Sequence, residues 1–572
     1  MSVGVRHAVS RGKQFAARLH ESLRGLGPAA RARRVLRLRM LSHLDDFART
    51  ERCAPVVQGC VLVDGMWDNA NYWIRYALVR RALGLTALPE IGILGTHARG
   101  RVREGFTRFG IGDLVDFRAE GSALSKFRAE AKRLLDTTRE PADILDWTLP
   151  GGFPGTLVFD GLLKRQRRAT IDLADPLLQD WVAEALSAIA AAEILFEKRS
   201  YGLVVLSHAL DYTYAAIAWA AIHRRVPVLV IYGDYGVSRF IRLRDGKDLF
   251  AYPGRPTVAE MRGLGAAADN SLRRAGRAYL DMRLGGRTGD ISAHYAYQRR
   301  SASVTREALC ARFGWDPAKP VIGVYAANWF DYPHVTGLSV FRDFLDWAEF
   351  TLDAAAKRSD VNWLFKAHPC DDWYADIRGV RLQDLVERAA KPNVQIADTT
   401  WNGNDLIQCF DGIVTCHGTI GVEAAAQGKP ILTAHRGWYG HAGFTLSPET
   451  RQDYAEALKS RWWSPWDRNT AIAAAERFAG WYFCTPDWHG TYVFHDDSEQ
   501  DAIFAGLPDF LACNDAAIRR EIETIRTWFD SGHPYYHIYK ISRANRFAVA
   551  GGESAAGAAE SESPVPSLAA QG

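Results

Sequence analysis

Short apolar runs alternate with helix-like segments along most of this chain, and this alternation limits the possible fold more than any other feature. In the first half, apolar runs rich in β-branched residues lie at 56–63, 91–94, 203–206 and 226–231, with helix-like segments at 72–83 and 208–223. Strand, short turn, helix and strand at this spacing predict βαβ units of a parallel sheet.

The pattern recurs after a polar, Arg-rich stretch at 273–300. Predicted strands lie at 321–325, 363–366, 394–396, 412–415 and 430–433, and predicted helices at 340–357 and 420–427. Open parallel sheets bind ligands outside the carboxyl ends of their strands. We therefore predict an α/β fold with two Rossmann-like blocks that face each other across one cleft.

Five segments follow from this reading. They are a basic helical arm at 1–50, a first block at 51–300, a second block at 301–480, helices that brace both blocks at 481–550, and a disordered tail rich in Gly, Ala, Ser and Glu at 551–572.

The arm carries most of the positive charge. Residues 1–50 hold eleven Lys/Arg against three Asp/Glu, a balance of +8, whereas the whole chain carries only +4. A basic amphipathic helix can lie on an anionic membrane surface, but it can equally be a solvated face packed on the protein body. Both interpretations stay open from the sequence.

Composition excludes several classes of protein. The 572 residues are 48% hydrophobic and 24% charged, which is ordinary globular composition. The basic charge does not extend over the blocks, which argues against nucleic-acid binding. The eight cysteines form no C-x-x-C pair, which favours a reducing compartment. Without a signal-peptide pattern or a membrane-length apolar run, we expect a cytoplasmic location, either free or peripheral at the inner face of the cytoplasmic membrane.

The strongest local signal is the sequence TCHGTIGVE at 415–423, between a predicted strand and a helix. Glycines here permit a tight turn and close backbone approach, and main-chain N–H groups at a helix start favour a phosphate. The candidate ligand-binding residues are His417, Gly418, Thr419, Gly421 and Glu423, the last placed to accept from ribose hydroxyls. The alternative is a turn whose glycines serve only packing.

A second signal is the sequence FKAHP at 365–369. Lys366 and His368 alternate at a strand end, where a histidine can donate to a phosphate or act as an acid or base. Asn328, in the loop after the strand at 321–325, is a further candidate donor.

In the first block, polar residues also follow strands. Asp64, His208 and Asp211 are candidates to accept a proton from an incoming hydroxyl, although Asp64 and Asp211 could instead cap the next helix. Two further acids, Asp68 and Asp234, lie at these strand ends. Arg239 and Arg242 could bind an anionic acceptor, or they could lie on a solvated face.

Other catalytic motifs are missing from the sequence. It has no G-x-S-x-G elbow, no P-loop, no metal-binding His pair on a helix near His435 and His441, and no D-x-D clamp with strand support. We therefore expect no metal and no cofactor.

The pairing of FKAHP with the downstream sequence TCHGTIGVEAAAQGKPIL resembles the second domain of bacterial capsule polysaccharide biosynthesis proteins, including Kdo-transferase-like enzymes. It is similar, more distantly, to CDP-glycerol glycerophosphotransferases. The match covers 321–444, and over 56–231 only the layout is similar to that of GT-B glycosyltransferases. Where the family often has Ser-Ser or Ser-Thr, this chain has His417-Gly418-Thr419.

The resemblance implies a nucleotide-activated donor in the second block, an acceptor in the first, and no essential metal. It implies that His368 is the His-Pro histidine and that Thr419, Gly421 and Glu423 touch the donor nucleotide. We therefore expect a glycosyltransferase acting on a nucleotide sugar and a capsule or other cell-surface glycan or glycolipid. The alternatives are a polyol-phosphate transferase, a nucleotide-sugar epimerase, or a non-catalytic scaffold of a glycan-assembly complex.

Overall fold

The structure is a computed structural model. It describes residues 27–50, 53–66, 68–95, 98–117, 121–234, 237–250, 258–288, 293–298, 302–369, 371, 377–484 and 500–541. The predicted tail at 551–572 and the first half of the predicted arm lie outside the described residues.

The first domain is built on a six-stranded sheet in the order β3-β2-β1-β6-β7-β8, parallel except for β8. The strands in chain order are β1 (Cys60–Val63), β2 (Glu90–Leu94), β3 (Asp113–Asp116), the short hairpin β4 (Thr148–Leu149) and β5 (Phe153–Pro154), β6 (Tyr201–Leu206), β7 (Val228–Asp234) and β8 (Val237–Leu243). The helices are α1 (Pro28–Arg49), α2 (Ala70–Ala82), α3 (Arg99–Arg108), α4 (Gly121–Thr137), α5 (Gly155–Gln166), α6 (Leu178–Lys198), α7 (Tyr212–His223) and α8 (Val258–Arg262).

The second domain is built on a five-stranded, fully parallel sheet in the order β11-β10-β9-β12-β13. Its strands are β9 (Val321–Tyr325), β10 (Asn362–Lys366), β11 (Val394–Ile396), β12 (Gly412–Thr415) and β13 (Ile431–Thr433). The remaining helices are α9 (Ala266–Leu284), α10 (Arg306–Phe313), α11 (Phe344–Ala356), α12 (Leu382–Ala389), α13 (Gly403–Cys409), α14 (Ile420–Ala425), α15 (Arg451–Lys459), α16 (Arg468–Phe483), α17 (Gln500–Cys513) and α18 (Asp515–Ser531).

The predicted class, α/β with two parallel Rossmann-like sheets, is confirmed by this topology. Central strands such as β6 and β9 are mostly buried and rich in Val, Ile and Leu, as expected where helices cover both faces of a parallel sheet. Four strands were missed: the short hairpin strands β4 and β5, and two strands of the six-stranded sheet. The edge strand β3 reads DLVD and has no apolar run, and β8 pairs antiparallel with β7 although its sequence carries two arginines.

Helix α9 crosses to the second domain and packs against α16. The crossing is very close, because a Cβ added to Gly276 would lie 2.0 Å from the Glu476 carbonyl oxygen, and one added to Gly480 would lie 1.9 Å from that of Leu272. Only glycine fits at these two positions. The predicted first block includes α9 by sequence, whereas its packing partner belongs to the second domain.

Helix α1 packs on the first domain through Met40, Leu41, Leu44 and Ala48, which are buried. Helices α17 and α18 pack on α1 and α2. Residues 28–49 of the arm therefore form a helix that is packed on the protein body and has a solvated basic face, which was the second of the two interpretations. No helix in the described part of the chain is long and apolar enough to cross a membrane.

Candidate functional site

Each sheet reverses its strand order at one point, between β1 and β6 in the first and between β9 and β12 in the second. The carboxyl ends at such switch points are where open α/β sheets bind ligands. Asp64 follows β1 and His208 lies shortly after β6, whereas Asn328 and His417 lie after β9 and β12. The predicted site residues of each domain are thus brought to one edge of its sheet.

The two edges face each other through a buried contact. Asp160 on α5 of the first domain is fully buried and accepts from the main-chain N–H groups of His334 and Val335, both at 3.0 Å. Its other oxygen lies 2.7 Å from His334 Nδ1. His334 belongs to the loop after β9. This carboxylate therefore holds the second domain's loop against the first domain.

Tyr332 lies in the same loop of the second domain and interacts electrostatically with Asp211 of the first domain. Burial and the neighbouring carboxylate of Asp211 raise the pKa of its phenol. Its backbone is in the left-handed region at φ 51°, which is strained for a residue with a side chain. A strained aromatic residue between two domains indicates a constrained interface.

In the first domain, Asp64 is buried and its carboxylate accepts three hydrogen bonds. Met66 N–H donates to one oxygen at 2.7 Å, and Ser207 donates to the other through its N–H at 2.9 Å and its hydroxyl at 2.6 Å. Ser207 Oγ also lies 2.9 Å from His208 Nδ1. Burial raises the pKa of Asp64 and lowers that of His208, the latter against the opposing charges of Asp64 and Asp211.

Asp211 caps helix α7 by accepting from Thr213 N–H at 3.0 Å. The capping interpretation therefore describes its carboxylate, which also lies 3.9 Å from Arg165. Asp68 is paired with Arg37 at 2.6 Å and is not presented to a ligand.

The two candidate arginines are both engaged in packing. Arg239 is buried over the Tyr482 ring and donates to the Tyr482 carbonyl. Arg242 donates to the carbonyl of Phe529 at 2.8 Å. These contacts tie β8 to α16 and α18. The side chain of Asp234 lies outside the described residues.

In the second domain, three histidines that follow three different strands lie together. His417 Nδ1 is 3.2 Å from His435 Nε2, and burial together with the nearby imidazole of His368 lowers the pKa of His417 to about 4. The pKa of His435 is also lowered by burial, and further by His417 and His334. Both rings are therefore neutral at pH 7.

Main-chain contacts orient this pair. Gly437 N–H donates to His435 Nδ1 at 2.9 Å, so the proton of neutral His435 lies on Nε2 and is donated to His417 Nδ1. Neutral His417 must then carry its proton on Nε2. The arrangement makes His417 a hydrogen-bond donor, as expected for a group that contacts phosphate.

Cys416, His417 and His435 place possible metal-ligand atoms within 4.8 Å of one another. A metal bound at His435 Nε2 would require the proton on Nδ1, but the Gly437 N–H already donates to that atom. Burial also holds the pKa of the Cys416 thiol well above its usual range, whereas zinc takes the thiolate. The donor set therefore fits a metal poorly.

Lys366 and Asn328 are both buried. Lys366 is 4% exposed, with its ammonium 5.2 Å from the centre of the Tyr325 ring. Asn328 accepts a hydrogen bond from the Phe330 N–H and donates one to the Asp371 carboxylate. The main-chain N–H of Asp371 in turn donates to the His368 carbonyl. Asn328 thus shapes the loop that carries His368.

Glu423, predicted to meet a ribose, is buried in an ion pair. Its Oε1 lies 2.6 Å from Arg283 Nε on α9, and Tyr297 donates its hydroxyl to Oε2. Arg283 also reaches Thr419 Oγ1 at 3.4 Å. In the structure this carboxylate binds the second sheet to α9.

The glycines of the turn are close to Tyr439. A Cβ on Gly421 would lie 2.3 Å from the Tyr439 hydroxyl, and that hydroxyl donates to the Gly418 carbonyl at 2.8 Å. At Gly421 the packing interpretation therefore has direct support.

Sequence reasoning missed Asp160, His334, Ser207 and Arg283. Asp160 carried the one readable signal, a carboxylate inside the apolar helix sequence LVFDGLL. The other three resemble ordinary surface residues until their partners, which are distant in sequence, are known.

Residues 343–464 match the family model described as "Capsule polysaccharide biosynthesis protein". The predicted resemblance to this family is confirmed over that segment. It contains His368 and the whole 415–423 turn and amounts to about a fifth of the chain. No curated protein sequence matches the chain significantly.

Solved structures match at low identity. The beta Kdo 2,4 transferase KpsC of Thermosulfurimonas dismutans is 17% identical, with a TM-score of 0.30 over 48% of this chain and 79% of that one. The MnaA–UDP complex of S. aureus is 11% identical, with a TM-score of 0.26 over 80% and 97%. The calicheamicin glycosyltransferase CalG4 is 12% identical, with a TM-score of 0.24 over 80% and 99%. The fold assignment accordingly rests on the two sheets of this chain.

Proposed function

We propose that this protein is a glycosyltransferase that moves a sugar from a nucleotide-sugar donor to a capsule or other cell-surface glycan or glycolipid. The observation that carries the proposal is the meeting of two sheet edges at one boundary. Three neighbouring histidines of the second domain lie on one side, and His208 of the first lies on the other. The capsule-family match over 343–464 supports the same function.

The second domain would hold the donor phosphate. His417 presents an Nε2–H donor, and His368 lies close enough to lower the pKa of His417. Preorganised donors at the position where a leaving phosphate gains charge lower the barrier most effectively. Lys366, buried below this edge, adds positive charge. The proposed mechanism requires no metal or cofactor.

The first domain would activate the acceptor hydroxyl. Of the three candidate bases, Asp64 already accepts three hydrogen bonds and Asp211 caps α7. His208 is half-buried, so a ligand can reach it, and burial lowers the pKa of its imidazole, which is therefore neutral at pH 7. We therefore assign the base to His208.

The acceptor could be reached at an anionic membrane surface. The outward face of α1 carries exposed arginines Arg31, Arg33 and Arg39, whereas its apolar face is packed on the protein. The attraction between these arginines and anionic lipids would then be electrostatic, and it should weaken as the salt concentration rises. Cosedimentation with vesicles of anionic and of neutral lipids at two salt concentrations tests this contact. Equal pelleting with both lipids would contradict it.

His368→Ala tests the assignment directly. We expect loss of sugar transfer by at least tenfold, measured by mass spectrometry with a panel of activated sugars. The matched control is His223→Ala, because His223 lies at the end of α7, where it contacts the carbonyl and the ring of Trp219 one turn earlier. Unchanged turnover of the His368 variant would refute the proposal.

Thermal-shift measurements with CMP, UDP and CDP compounds distinguish the rival functions. A shift only with CDP-polyols would favour a polyol-phosphate transferase. Conversion of a nucleotide sugar to its epimer without any acceptor, measured separately by product analysis, would favour an epimerase, because the product keeps its nucleotide. No thermal shift with any compound would favour a scaffold.

A further inference from the structure

Ser207 links Asp64 to His208 through hydrogen bonds, and the donor in each bond can be identified. Its hydroxyl oxygen lies 2.6 Å from Asp64 Oδ2 and 2.9 Å from His208 Nδ1. The three residues meet at the β1/β6 switch point, since Asp64 follows β1 and the other two follow β6.

The protons of this line can be counted. Burial raises the pKa of Asp64, but hydrogen bonds from Ser207 and from two main-chain N–H groups oppose this shift. Main-chain N–H groups can only donate, and they donate to both Asp64 oxygens, so the carboxylate acts as the acceptor throughout this network. The single hydroxyl proton of Ser207 therefore points to Asp64. Towards His208, Ser207 Oγ can then only accept, so the proton of neutral His208 lies on Nδ1. The Tyr214 hydroxyl is a further hydrogen-bonding neighbour of Ser207.

We propose that Ser207 is a positioning residue which, together with Asp64, fixes His208 with its proton on Nδ1 and its lone pair on Nε2. This inference rests on the proposed function and deepens it, because only that tautomer can accept a proton at Nε2. Asp64 then orients the base through Ser207 and does not itself meet the acceptor.

The surroundings of the ring fit this role. The Tyr214 ring covers one face of His208, with centroids 4.1 Å apart and planes tilted by 36°. Tyr332 of the second domain lies close enough to Tyr214 to raise the pKa of its phenol. Among the described residues, no hydrogen-bond partner occupies His208 Nε2. The free lone pair thus belongs to a ring at the boundary of the two domains.

The step balances without any further reactant. The acceptor oxygen forms a bond to the sugar's anomeric carbon as its proton passes to His208 Nε2. The bond between the anomeric carbon and the donor phosphate breaks, and its electron pair leaves with the nucleotide. His208 becomes an imidazolium stabilised by Ser207 and, through it, by Asp64. Release of the proton to water restores the base.

Substitution of Ser207 separates positioning from mere structure. In Ser207→Ala we expect kcat to fall at least a hundredfold, as for loss of a general base, with KM for the donor nearly unchanged. We also expect the acidic limb of the kcat/KM pH profile to weaken, because the neutral His208 ring is then no longer held with its lone pair on Nε2. Ser207→Thr keeps the hydroxyl and should recover activity to within about tenfold of the wild type.

The matched control is Ser531→Ala, which removes a hydroxyl at the distant end of α18. A folded Ser207→Ala protein with kcat within threefold of the wild type would overturn the inference while leaving the proposed function intact. A wild-type protein that binds no nucleotide would overturn both.

A measurement on the wild type does not depend on the variants folding. The full-length protein carrying 15N-labelled histidine, with the His208 signals identified from their loss in His208→Gln, should show a protonated Nδ1 and an unprotonated Nε2 at neutral pH. The opposite tautomer would overturn the inference.

Discussion

The buried pair of Glu423 and Arg283 provides the sharpest test of this structure, because sequence and structure assign the glutamate different roles. The sequence predicts that the Glu423 carboxylate accepts hydrogen bonds from the ribose hydroxyls of a nucleotide. The structure places the two side chains, 4% and 2% exposed, in an ion pair between the second sheet and α9. Glu423→Ala would leave the guanidinium and the Tyr297 hydroxyl buried without this carboxylate.

The expected cost is large. Breaking a buried ion pair by removing one partner costs about 3–5 kcal/mol, since the remaining charge stays desolvated. The matched control is Glu449→Ala. Glu449 pairs with Arg436 at 2.9 Å, but both side chains are more than 60% exposed, so its loss should cost no more than about 1 kcal/mol.

Urea unfolding followed by far-UV circular dichroism and tryptophan fluorescence measures both variants. The double variant Glu423→Leu/Arg283→Met should be more stable than Glu423→Ala, because no unpaired charge remains. If Glu423→Ala unfolds at the wild-type urea concentration but no longer binds nucleotide, the carboxylate is a ligand and the structural argument is refuted.

Three further predictions follow from the histidines and the domain contact. Because the pKa of folded His417 is about 4, below its ordinary value of 6.5, the unfolded chain binds the proton first. Stability should therefore be complete above pH 6.5 and fall by about 3 kcal/mol towards pH 4, and His417→Gln should flatten this part of a pH–unfolding series; an unchanged slope would contradict the shift. Protein grown with added zinc should contain no stoichiometric metal by elemental analysis, since Gly437 N–H occupies His435 Nδ1, and one tightly held zinc per chain would contradict that reading. Asp160→Ala removes the acceptor of two loop N–H groups and should cost about 1–3 kcal/mol and enlarge the radius of gyration in small-angle scattering; an unchanged radius would show that other contacts hold the domains together.

The sequence by itself determined the fold class and the edges where polar residues gather. Runs such as VIGVY at β9 and GIVT at β12 are apolar because helices cover both sheet faces, so they are readable without the structure. Residues that directly follow such strands, including Asp64 and His368, could be placed at the carboxyl edge for the same reason.

Only the tertiary structure decided what those residues do. Glu423 meets an arginine 140 positions away, and Asp160 meets His334 174 positions away. Ser207 gains a proton-directing role only because β1 and β6 are neighbours in the sheet, which brings Asp64 within 2.6 Å across 143 positions of chain. Local patterns record periodicity and burial, whereas the partner of a buried charge or hydroxyl is fixed by how the chain returns to that place. For that reason the edge of each sheet could be predicted, but the direction of its hydrogen bonds could not.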